Sequence, residues 1–122
     1  MPRIRILLVA AIAMLALAVA GSQASTKVTT LAGTVGPGFT INLTQNGHSV
    51  KNKTLKAGTY TIKVNDKASI HNFHLFGVGV NKKTGVSFIG TKTWTVKLKK
   101  GSYTYRCDIH FMSVMIGHFK VK

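Results

Sequence analysis

A chain of 122 residues with 45% hydrophobic content can bury one core and not two, so a single domain is the ceiling. Seventeen basic residues against two acidic ones give a formal net charge of +15. The lysines nevertheless fall singly or in pairs such as Lys82-Lys83 and Lys99-Lys100, with no basic helix or reading motif, which argues against a nucleic-acid partner.

The chain opens with Met1-Pro2-Arg3-Ile4-Arg5, runs apolar from Ile6 to Ala20 and then reaches Gly21-Ser22-Gln23-Ala24. A positive start, a short apolar run and small residues together predict a secretory signal peptide, cleaved after Ala24. The run is shorter than the ~20 residues of a spanning helix, so no transmembrane span is expected in the mature chain. The predicted organisation is a signal peptide at 1–24 and one domain at 25–122, secreted or periplasmic. Losing Arg3 and Arg5 leaves 15 basic residues against Asp66 and Asp108, a net charge of +13. Outside the cytoplasm such a cation suits anionic envelope surfaces or an acidic protein partner, drawn in by steering that salt weakens.

The segment Lys27 to Val35 comes first and is irregular, because Val28 is out of phase with Leu31 and Val35; a strand with a bend or bulge is expected. From there period-two alternation dominates, the mark of half-buried strands. Phe39, Ile41 and Leu43 alternate with Thr40, Asn42 and Thr44; Tyr60, Ile62 and Val64 with Thr61, Lys63 and Asn65. Residues 81–90 read as a loop with a short strand around Val86 to Phe88. Trp94, Val96 and Leu98 form the next run, then Tyr103, Tyr105 and Cys107, and Phe119 and Val121 close the chain. Gly36-Pro37-Gly38, Asn46-Gly47, Ala57-Gly58, Gly77 to Gly79, Gly85 and Lys100-Gly101 punctuate the runs. Many short strands joined by close turns predict an antiparallel sandwich. One internal echo, Leu55-Lys56-Ala57-Gly58-Thr59-Tyr60 against Leu98-Lys99-Lys100-Gly101-Ser102-Tyr103, reads as two equivalent entries from a turn into a core strand.

Cys107 is the only cysteine, so an exported chain carries a thiol that no internal disulfide can use. Its surroundings suggest a use. Cys107, His110 and Met115 lie within Tyr105-Arg106-Cys107-Asp108-Ile109-His110-Phe111-Met112-Ser113-Val114-Met115-Ile116-Gly117. A thiolate at a strand end and an imidazole three residues on can meet one metal across a tight turn, and a thioether further along can approach the axis. Thiolate, imidazoles and a weak axial thioether are the ligands of a blue-copper site, which requires a second histidine.

The spacing Cys-x2-His-x4-Met, followed by Ile-Gly and an alternating strand, resembles the copper loop of the plastocyanins and related cupredoxins, and His71-Asn72 resembles their upstream element. The resemblance implies a Greek-key β-sandwich of seven or eight strands spanning the mature chain. It implies one mononuclear copper ion on His71, Cys107, His110 and Met115, with the Asn72 backbone amide bonded to the cysteine sulfur. The implied role is one-electron transfer by a monomeric, non-enzymatic protein. Two positions depart from the plastocyanin pattern: Ile109 replaces the usual proline before the histidine, and Val114 the glycine before the methionine. The acidic patch of the plant proteins is absent, so no photosynthetic partner carries over.

Parity separates the neighbouring candidates. His71 shares a face with Phe73 and Leu75, whereas His74 shares one with Asn72, so His71 is the expected ligand and His74 an ordinary surface or edge histidine, like His48 and His118. Met115 keeps phase with Gly117, Phe119 and Val121 and is preferred over Met112 on the same ground. The competing function is a copper carrier or resistance protein, for which only Met112 and the spare histidines speak. An oxidase or nitrite reductase would need further copper sites, for which the sequence offers no second cluster.

Overall fold

The computed structural model describes residues 17–22 and 27–122. Most of the expected signal peptide, 1–16 together with Gln23 and Ala24, lies outside the described residues. Among the described residues ten strands follow one another: β1 (Thr29–Val35), β2 (Ile41–Gln45), β3 (His48–Ser49), β4 (Thr54–Leu55), β5 (Gly58–Asp66), β6 (His74–Gly77), β7 (Val80–Lys83), β8 (Gly90–Leu98), β9 (Gly101–Arg106) and β10 (Ile116–Val121). Because β3 and β4 are two-residue pieces, the longer strands match the expected number. Among the described residues no helix is long and apolar enough to cross a membrane.

Two five-stranded sheets form, in the orders β3-β2-β1-β5-β8 and β4-β10-β9-β6-β7. The sheets are mixed rather than purely antiparallel. β1 runs parallel to β5 over seven residue pairs, and β4 runs parallel to β10. Between β1 and β5 the chain crosses to the second sheet at β4 and returns in its original direction, which a parallel neighbour requires. No bulge interrupts β1: it starts at Thr29, after the out-of-phase Val28, and buries Leu31 and Val35 completely. The short strand expected near Val86 to Phe88 forms instead at Val80–Lys83. There only Val80 faces inward, so the edge strand has almost no alternation to read.

Inward residues of both sheets meet in one core, including Leu31, Leu43, Ile62, Val64, Leu75, Leu98 and Phe119. Aromatic rings run through it toward one end: Tyr103 stacks on Phe119 at 5.3 Å between centroids, and Tyr105 on Phe73 at 6.0 Å. Gly117 faces Tyr105 across β10 and β9, and a Cβ there would run into the tyrosine ring, so the glycine makes room for the aromatic. The two echoed turns are structurally equivalent. Tyr60 donates its hydroxyl to the Lys56 carbonyl (2.6 Å) and Tyr103 to that of Lys99 (2.7 Å), each closing the turn it leaves.

Candidate metal centre

Three connections converge at the end of the sandwich reached by Phe73 and Tyr105. After Arg106 the chain leaves β9, turns through residues 107–115 and re-enters the sheet at Ile116, which pairs with Arg106. The Cys107 N–H donates to the Met115 carbonyl (3.0 Å) and closes this loop at its base. Inside it, the Ser113 N–H and hydroxyl both donate to the His110 carbonyl (3.1 and 2.8 Å), which fixes the turn that carries the imidazole. The second connection runs from β5 to β6 and carries His71 and Asn72. The third, between β1 and β2, contributes Gly36 and Phe39. Gly36 has a positive φ of 72°, and a Cβ on it would lie 3.2 Å from Cδ2 of His71 and closer still to Ala68, so glycine allows that backbone to pass beneath the ring.

His71 Nδ1 and His110 Nδ1 face each other at 2.9 Å, and the Cys107 sulfur lies 3.9 Å from the first and 3.6 Å from the second. All three donor atoms lie within 4.8 Å of one another. Cys107 and His71 are fully buried, while His110 is partly exposed. Two imidazoles and a thiol with no carboxylate among them form a borderline-to-soft donor set, which suits copper or zinc and not magnesium or calcium. The Asn72 N–H donates to the Cys107 sulfur (3.5 Å). Met115 is fully buried under the loop and Met112 is 88% exposed at its tip, so burial separates the two methionines as phase did.

Two carboxylates flank the ligand-bearing segment. Asp66, at the end of β5, is completely buried; it accepts from the Thr84 hydroxyl (2.8 Å) and the Ala68 N–H (3.3 Å). The same hydroxyl accepts from the Phe73 N–H (2.9 Å). Burial raises the carboxyl of Asp66 above the usual range, against the opposing pull of those hydrogen bonds and of His71. Asp108 has the opposite balance. Burial works against its charge, but hydrogen bonds from His74, Asn72 and Arg106 outweigh that and lower it to about 2.

No protein-family model and no curated protein sequence matches the chain. Solved structures do. Reduced rusticyanin superimposes with a TM-score of 0.61 at 23% identity, over 81% of this chain and 82% of that one. A rusticyanin structure described as that of a copper protein gives 0.61 at 22% over 80% of each chain. Rusticyanin from Thiobacillus ferrooxidans gives 0.58 at 24%, over 80% of this chain and 79% of that one. The chain has the cupredoxin fold.

On this cupredoxin frame, two residues differ from their sequence reading. Phe39 is expected to alternate with Ile41 and Leu43 on one face of a half-buried strand, but β2 begins only at Ile41 and Phe39 is 55% exposed. Its ring stands edge-on to both imidazoles, 5.2 Å from His71 and 5.0 Å from His110. The signal for this was the preceding Gly36-Pro37-Gly38 turn, which ends the strand frame before Phe39. His74 is not an ordinary surface histidine either. It is half-buried, with Nδ1 2.9 Å from Asp108 and Nε2 2.6 Å from Asn81. His48 and His118 are exposed, as expected.

Proposed function

We propose that this chain is an exported blue-copper protein that carries single electrons. His71, Cys107, His110 and Met115 would hold the copper ion. The convergence of His71 Nδ1, His110 Nδ1 and the Cys107 sulfur carries this reading. Copper supplies a one-electron couple. The protein's part is to hold the donors in one arrangement, so that little rearrangement accompanies each electron, and to exclude water from the sulfur. His71, Cys107 and Met115 are sealed inside, which leaves the partly exposed His110 as the route outward. Around it Phe39, Ile70, Ile109, Met112 and Val114 expose apolar side chains that suit a partner's docking face. Cleavage after Ala24 would release a +13 chain, and an acidic redox protein fits that charge.

The copper(II) protein is expected to be intensely blue and Cys107→Ser colourless, because the charge-transfer band needs a direct thiolate bond. A blue Cys107→Ser protein, or a wild type that binds copper without colour, would overturn the ligand assignment. Function is tested by stopped-flow mixing of the reduced protein with acidic exported oxidants, followed by metal analysis of both proteins. Fast oxidation that slows as salt rises, with copper retained, is the expected result. Copper passing to the partner without redox turnover would instead identify a copper carrier, the reading that the exposed Met112 favours.

A further inference from the structure

The hydrogen bond on the Cys107 sulfur comes from a backbone N–H, so its geometry depends on what holds residue 72. The Asn72 side chain reaches across to the cysteine strand. Its oxygen accepts from the Asp108 N–H (2.8 Å), and its amide donates to Asp108 Oδ2 (3.0 Å) and to the Thr84 carbonyl (3.4 Å). Asn72 is therefore as well placed as the Asp108 carboxylate is. That carboxylate is held in turn by His74 Nδ1 (2.9 Å) and Arg106 Nε (3.0 Å), both on Oδ1. Arg106 is wedged between the Phe76 and Phe111 rings, 5.1 and 4.2 Å from their centroids. His74 is fastened on its far side by Asn81 of β7 (2.6 Å).

We propose that His74 is a positioning residue of the metal centre, acting through Asp108 and Asn72 on the hydrogen bond to the Cys107 sulfur. The proposal rests on the copper reading for its redox consequence, and on the hydrogen-bond chain alone for its structural one. His74 joins β6 to the loop after β9 through a charged partner, and such bonds are stronger and more directional than neutral ones. Without it, Oδ1 of Asp108 keeps only Arg106 as a side-chain partner, and the Asn72 bridge loosens. A weaker N–H bond leaves more electron density on the sulfur, which favours the oxidised metal, so the reduction potential falls.

The test compares wild type, His74→Leu and His74→Gln in two states. In the metal-free protein, deuterium exchange at the Asn72 amide is expected to speed up about tenfold in His74→Leu and to recover in large part in His74→Gln. In the copper-loaded protein, His74→Leu is expected to shift the charge-transfer band and lower the potential, with His74→Gln between it and wild type. In an Asp108→Asn background the same His74→Leu change should add little, because the link it would break is already weakened. Should His74→Leu not fold, Asn81→Ala, which frees only the outer ring nitrogen, is expected to move the same readouts less far in the same direction. A lowered melting temperature with unchanged Asn72 exchange, band and potential would show a merely structural role and overturn the proposal. A wild type without blue colour would sink the copper reading while the metal-free exchange still decides the role of His74.

Discussion

The segment that carries His71 is gripped from two sides by the same residue type, its carboxyl shifted in opposite directions on the two sides. On the inner side, Asp66 is sealed in the core and its carboxyl is raised, so the interior favours its proton. It works through the Thr84 hydroxyl, which passes the grip on to the Phe73 backbone. On the outer side, Asp108 is partly exposed and held near 2 by His74, Asn72 and Arg106, so it keeps its charge. The buried grip relies on a hydroxyl and a backbone N–H, and the rim grip on side-chain donors that include the Arg106 guanidinium. The chain has only these two acidic residues, and both serve the same short segment.

The inner grip should be the costlier to break. Thr84→Val removes the donor to Asp66 and the acceptor for the Phe73 N–H at a site that is 1% exposed, leaving buried groups unpaired. A loss of about 2–3 kcal/mol in denaturant unfolding is expected. Asp108→Ala leaves its partners nearer to water, which can replace what is lost, and about 1–2 kcal/mol is expected in the same measurement. Equal losses, or a larger one from Asp108→Ala, would break the contrast.

Acid sharpens it further, with a smaller effect. The Asp108 carboxyl is lower when folded than its ordinary 3.8, so its contribution is complete above that value and is lost as pH falls through about 2. Asp66 is raised on folding. Its contribution is therefore present below the ordinary carboxylate range and is lost as pH rises through the folded value. Unfolding free energies from about pH 2 to 7 should show Asp108→Asn flattening the acid-side fall and Asp66→Asn flattening a decline on the other side. Slopes altered in the same direction by both variants would show that the two carboxyls do not differ as described.

The two grips also mark the limit of what the sequence discloses. Alternation exposes the inward face of β2, β5, β9 and β10 because burial on one face has period two, whatever the neighbouring strand. For the same reason it says nothing about whether β1 and β5 run parallel, since both arrangements alternate alike. Cys107, His110 and Met115 are legible as a set because their spacing is local to one loop, and the His-Asn pair adds His71 by resemblance. Phe39, His74 and Asp66 take their roles from residues on other elements of the fold, and each alone has an innocent local reading. His74 shows this best: parity sets it off the core face correctly, yet the off-core side at that point is where Asp108 stands.

The commitment of both carboxylates to one internal task has a consequence for the molecule as an electrical object. With Asp108 held near 2 and Asp66 buried, the surface has almost no buffering groups between about pH 3 and the histidine range, and lysine and arginine hold their charge throughout. Within that window, acidification that would strip the negative charges from an ordinary protein, reversing its mobility and its choice of partners, leaves this surface field nearly constant. Inside that window, an acid-dependence of its encounters with an acidic protein originates in that protein.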